Sequence, residues 1–173
     1  SRVGSRCALP AACLALPAVC PAAEEPASAF PGARGFGIRT PAGRGGRVLK
    51  VTNLHSQGPG SLRDALVAKG PRVVVFEVGG VIDLQTKELS IAEPFLTVAG
   101  QTAPSPGITL IRGSVVVRTH DVVLRHLRIR PGDAGRANRS GWEPEVTTFG
   151  PDAHDIVVDH CSLSWAVDEN LSA

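Results

Sequence analysis

Short aliphatic runs recur along most of this chain, and Gly, Pro, Asn or Asp separates most of them. Runs at 73–76, 81–84, 95–98, 108–111, 115–117, 122–124, 146–149 and 156–158 are rich in β-branched residues, which predicts short strands. Residues 47–52 alternate as a half-buried strand does. A polar turn follows at 53–60, and 61–67 reads as a short helix. Ser61 is placed to cap it, with Asp64 three positions on, close to a capping box. Leu62, Ala65 and Leu66 give this helix one apolar face, enough to cover the open end of a β core. Lys69-Gly70-Pro71 is its expected end. No helical stretch of ten or more residues separates the later strands, which excludes a βαβ sheet.

A sandwich and a solenoid of parallel strands remain. A sandwich shows sustained polar–apolar alternation, whereas the runs here are nearly unbroken. An internal repeat points the same way. Asp121-Val122-Val123-Leu124-Arg125-His126 matches Asp155-Ile156-Val157-Val158-Asp159-His160 in character, and Ile129 and Leu163 fall at equal offsets 34 positions apart. A coil of about 20–25 residues leaves roughly ten for an excursion, and 131–143 is the natural place for it. The predicted fold is therefore all-β, a right-handed parallel β-helix with a short N-terminal capping helix.

Apolar content of 43% and charged content of 20% fit a globular chain of 173 residues, and 19 Gly and 14 Pro favour turns over long helices. A net charge of +2 is too small to argue for nucleic acid. The distribution says more. Arg112, Arg118, Arg125, Arg128, Arg130, Arg136 and Arg139 crowd one region. Asp133, Glu143, Glu145, Asp152, Asp155, Asp159, Asp168 and Glu169 crowd the next. That arrangement suits an anionic ligand held partly through a cation, and equally a solvated face of ion pairs. The four cysteines form no C-x-x-C, which argues against a zinc site, and Cys161 reads as a small core residue.

Arg2 and Arg6, the apolar run 7–20 and Ala27-Ser28-Ala29 look like a secretory signal with a small-x-small cleavage site, so 1–29 is read as a leader and 30–173 as the domain. A disordered Ala/Pro leader with no targeting role is the bland alternative. The run is too short and Pro-rich to span a bilayer. Residues 30–46 form a loop-rich opening. Gly43-Arg44-Gly45-Gly46 lacks the Lys-Ser/Thr ending of a phosphate loop and the helix that should follow it. Sequons at Asn138 and Asn170 are explained by chance.

A set of ordered segments carries a specific resemblance. It comprises FPGA with GFG (30–37), GGRVLKVTNLHSQGPGSLRDAL (45–66), VVVFEVGGVIDL (73–84), AGQTAPSPGITL (99–110), VVLRHLRIRPGD (122–133) and VVDHCSLSWAVDENLS (157–172). In this order they resemble the bacterial pectate lyase-like polysaccharide lyases, which are secreted right-handed parallel β-helices. The resemblance covers 30–173 but not the leader. It implies cleavage of acidic pectic polysaccharide by calcium-assisted β-elimination, in a secreted protein that is monomeric when full length. It brings Ca2+ as cofactor and polygalacturonate as partner, with no nucleic acid and no membrane span.

Carried over residue by residue, the resemblance makes Glu145, Asp168 and Glu169 the metal ligands. Glu145 stands where relatives usually have Asp, and Glu remains a hard oxygen donor. Arg128 and Arg130 become candidates for the anionic substrate, although strand alternation puts both on one face, where solvation alone accounts for them. Asp159 and His160 match an Asp-His pair and read as supporting residues. No arginine here fits the motif of the family's catalytic Arg, so the polypeptide reads as the first half of an enzyme. Two alternatives remain: a non-catalytic carbohydrate-binding or surface β-helix, and a hydrolase. The hydrolase needs closely placed Asp pairs, which Asp155 and Asp159 match poorly.

Overall fold

The computed structural model describes residues 27–172 except 138, 139, 142 and 149, so the leader segment 1–26 with Cys7, Cys13 and Cys20, and the sequon Asn138, lie outside the described residues. The chain forms β1 (Arg47–Val51), α1 (Leu62–Leu66), β2 (Arg72–Phe76), β3 (Gly80–Asp83), β4 (Leu89–Ile91) and β5 (Leu96–Ala99). It continues with β6 (Ile108–Ile111), β7 (Val115–Val117), β8 (Val122–Arg125), β9 (Leu127–Arg130), β10 (Val146–Thr148), β11 (Ile156–Asp159) and β12 (Ser162–Leu163).

All the strands pair in parallel, in three sheets. The first is β1-β2-β5-β8-β11, the second β3-β6-β9-β12 and the third β4-β7-β10. From β2 onward the chain visits the first, second and third sheets in rotation. Paired residues in the first sheet are Arg47, Arg72, Leu96 and Val122, then Val122 with Ile156; by subtraction the spacings are 25, 24, 26 and 34. The long last spacing agrees with the sequence repeat. Its main excess lies between β9 and β10, where 131–145 replaces the three residues that join β6 to β7.

The interior is aliphatic on all three walls. Val74, Leu96, Val98, Val122 and Leu124 come from the first sheet, Ile82, Ile108, Leu110, Leu127 and Ile129 from the second, and Leu89, Ile91, Val115, Val117 and Val146 from the third. Leu62, Ala65 and Leu66 of α1 join the same cluster, so the helix does cover the core as expected. The Ser61 hydroxyl accepts from Asp64 N–H at 3.2 Å, and the Asp64 carboxylate accepts from Gly60 N–H at 3.1 Å. The helix stops at Leu66 with Val67 as its C-cap, short of the expected Lys69-Gly70-Pro71, and a side chain meets its last carbonyls. Arg72, fully buried, donates to the carbonyls of Ala65, Leu66, Gly70, Glu93 and Pro94. These bonds satisfy orphan carbonyls at the helix end and tie it to the next coil.

The opening 29–43 straps the outer face of the first sheet. Ala42 packs with Val123 and Val157, and Ala29 and Phe30 flank them. Gly43 N–H donates to Thr97 Oγ1 at 3.0 Å, and a Cβ on Gly43 would sit 2.0 Å from the Arg72 carbonyl oxygen, so only glycine lets the strap lie this close. The strap explains why Val122-Val123-Leu124 reads as unbroken apolar sequence. Its outward residue is covered as well as its inward ones.

Candidate functional site

The long excursion 131–145 and the segment after β12 both run from the second sheet toward the third, on neighbouring coils. Glu145 ends the first of these. Its backbone N–H donates to Ser114 Oγ at 3.3 Å and its carbonyl accepts from Val115 N–H at 3.0 Å, so it lies directly on the coil below at the mouth of β10. Asp168 and Glu169 lie on the second segment, exposed. Ala166 N–H donates to the Asn170 side-chain oxygen at 3.2 Å, and Ser172 N–H donates to the Val146 carbonyl at 3.0 Å. The latter bond docks the Asp168-Glu169 segment against the strand that Glu145 opens. The three acids thus lie along one edge of the coil stack. They do not form a trio with ligand atoms within 4.8 Å of one another; among the described residues that arrangement is found only at His126, Asp159 and His160.

Arg128 and Arg130 do share a face of β9, as alternation requires, and Leu127 and Ile129 point inward. Neither arginine is simply solvated. Arg128 Nε donates to Thr109 Oγ1 at 2.8 Å and Nη2 to the Pro106 carbonyl, which clamps it onto the coil below. Arg130 reaches the coil above, with Nη2 donating to Ser162 Oγ at 2.7 Å and its guanidinium carbon 5.8 Å from the Trp165 ring centroid. Trp165, exposed and beside Arg130, is a surface aromatic that the strand pattern does not single out. It lies in a loop with no period to read.

The repeated Asp-His pairs form columns at the two borders of the first sheet. His120 and His154 stack at 4.9 Å, with their Nδ1 atoms on Asp121 and Asp155 at 2.7 and 2.9 Å. His126 and His160 stack at 4.9 Å on the other border. Both distances match the spacing of neighbouring strands. Asp159 opens the second column: its Oδ2 accepts from Arg125 Nε at 2.7 Å and lies 2.9 Å from His160 Nδ1. Burial opposes its charge, but Arg125 and His160 outweigh that and hold its carboxyl below the usual aspartate range. Arg125 also lies 3.8 Å over the Phe30 ring, so strap and column meet here. Cys161 packs at the core's edge, where burial pushes its thiol up. Part of the charge crowding is therefore ion pairing: Arg125–Asp159, Arg112–Asp83 and Arg118–Glu88.

No protein-family model matches the chain. Curated relatives do. Over 145 residues the chain is 41% identical to proteins named probable pectate lyase C from Emericella nidulans and Aspergillus flavus, covering 83% of this chain and 32% of each relative. The chain is pectate lyase-like. A protein named pectate lyase 4 from Ambrosia artemisiifolia is 27% identical over 150 residues, 79% of this chain and 37% of that one. The pectate lyase-like chain spans about a third of the length of the relatives it matches. Among its described residues, no helix is long and apolar enough to cross a membrane.

Proposed function

We propose that this chain is part of a secreted, monomeric polysaccharide lyase that cleaves polygalacturonate by calcium-assisted β-elimination on a right-handed parallel β-helix. The observation that carries this reading is the shared edge of Glu145, Asp168 and Glu169 in a chain 41% identical to proteins named pectate lyase. The reaction removes a weakly acidic proton beside a uronate carboxylate, and the charge that develops must be stabilised where it forms.

The three side chains offer the hard carboxylate oxygens that calcium takes, one half-buried at a strand mouth and two exposed on the adjoining coil, although their ligand atoms are not gathered within 4.8 Å in this structure. Calcium, when bound, supplies a Lewis acid and a template for the sugar carboxylate. Glu145 anchors the site because its backbone is fixed to Ser114 and Val115. Asp168 and Glu169 supply the facing charge from a segment docked through Ser172. In this reading Arg130, held at Ser162 beside Trp165, presents a cation and an aromatic face to the uronate chain, and Arg128 contributes charge while bracing the wall. Asp159 and His160 support the framework. No base is assigned among these residues.

The test uses the protein that carries this chain, incubated with polygalacturonate. Absorbance of the unsaturated product should rise with calcium and stop on adding a chelator. Glu145→Gln and Asp168→Asn should each slow the rise. Product formed at an unchanged rate under chelation overturns the calcium reading. Calcium-dependent retention of polygalacturonate without product would instead leave a carbohydrate-binding β-helix.

A further inference from the structure

The border between the first and second sheets holds a second set of ligand groups, independent of the acid edge and of the lyase reading. His126 alone joins β8 to β9, and His160 takes the equivalent place after β11. Both have left-handed backbones, φ 54° and 50°, which turn the chain sharply at the corner. Register then stacks one imidazole over the other at 4.9 Å and 17°. Asp159, immediately before the corner, completes the group. Ligand atoms of His126, Asp159 and His160 all lie within 4.8 Å of one another.

We propose that this corner binds a divalent first-row transition ion of the Zn2+ class through His126, His160 and a carboxylate oxygen of Asp159. Two imidazoles and a carboxylate are the donors such ions prefer, and three ligands leave a position open for water. A tetrahedral ion with bonds of about 2.1 Å separates its ligand atoms by roughly 3.4 Å, a spacing these side chains reach by small torsional changes. Arg125 Nε and His160 Nδ1 both sit on Asp159 Oδ2. Oδ1 carries no hydrogen bond among the described residues, which leaves it available as the ligand oxygen. Arg125, held on the same carboxylate, opposes a second positive charge here, and its contact with Phe30 gives it a further partner. His126 and His160 both lie at the surface, so the ion has a path from solvent. The lack of a C-x-x-C pair does not bear on histidine and carboxylate ligands. These ligands come from two coils, and stacking brings them together.

The test is titration of the 173-residue chain with ZnCl2, followed by calorimetry and by the imidazole nitrogen signals in NMR. One Zn2+ should bind and shift the His126 and His160 rings, leaving His55, His120 and His154 in place. Excess Ca2+ should not displace it. His126→Gln and His160→Gln should each weaken binding by more than about tenfold, the lower end seen even for residues that only orient a ligand. His154→Gln, in the other column, should bind as the parent does. Zinc that leaves the His126 and His160 rings unshifted, as thiols of Cys7, Cys13 and Cys20 would give, overturns the proposal. So does parental affinity in the His126→Gln chain. The ring shifts are read on the unsubstituted protein, so they decide the matter even where a variant fails to fold.

Discussion

Asp159 shows how one side chain can serve framework and surface together. It receives Arg125 on one oxygen and His160 beside it. Its carboxyl is held below the ordinary value of about 3.9. A depressed folded pKa contributes stability that is fully present above the unfolded value and is lost as the pH falls through the folded one. The parent should therefore be more stable than Asp159→Asn at neutral pH, and their urea midpoints should converge as the pH drops below about 4. A constant gap across that range would show that the ion pair contributes nothing through charge. At this scale the sequence was informative about the pair and its repeat. It was silent on Arg125 as its partner, because that contact joins residues 34 positions apart.

Among the elements, α1 and Arg72 form a unit. The capping residue and apolar face of α1 are written in local sequence, since both depend on neighbours three or four positions away. The arginine is different. Arg72 opens β2, outside any local pattern, yet it is buried with five carbonyl acceptors. Arg72→Met should lower stability by roughly 3 kcal/mol or more, because those carbonyls lose their donors in a dry site. Lysine should not rescue it, since a point charge cannot serve five acceptors in a planar fork. Equal urea midpoints for parent and Arg72→Met would contradict this role. Strand length set a second limit on legibility. β4 and β12 have three and two residues, too few for a period, and parallel register rather than local pattern defines them. Phe95 read as a strand start, but its φ of 59° makes it the corner before β5.

For the whole molecule, rotation of the chain through three parallel sheets turns separations in sequence into columns in space. The repeat at 34 positions becomes the histidine stack, and the excursion after β9 lies where the repeat left room for it. The strap over the first sheet was not legible, because 30–46 has no hydrophobic period and its role exists only against Val123 and Val157. The same stacking puts Glu145 on the coil next to Asp168 and Glu169, and the functional account depends on that placement. Calcium titration of the chain by calorimetry tests it most directly. A saturable calcium site should appear, and Glu145→Gln and Asp168→Asn should each weaken it by about tenfold or more, ~1.4 kcal/mol apiece. Calcium affinity unchanged in the double variant, or no calcium bound by the parent, would contradict the account.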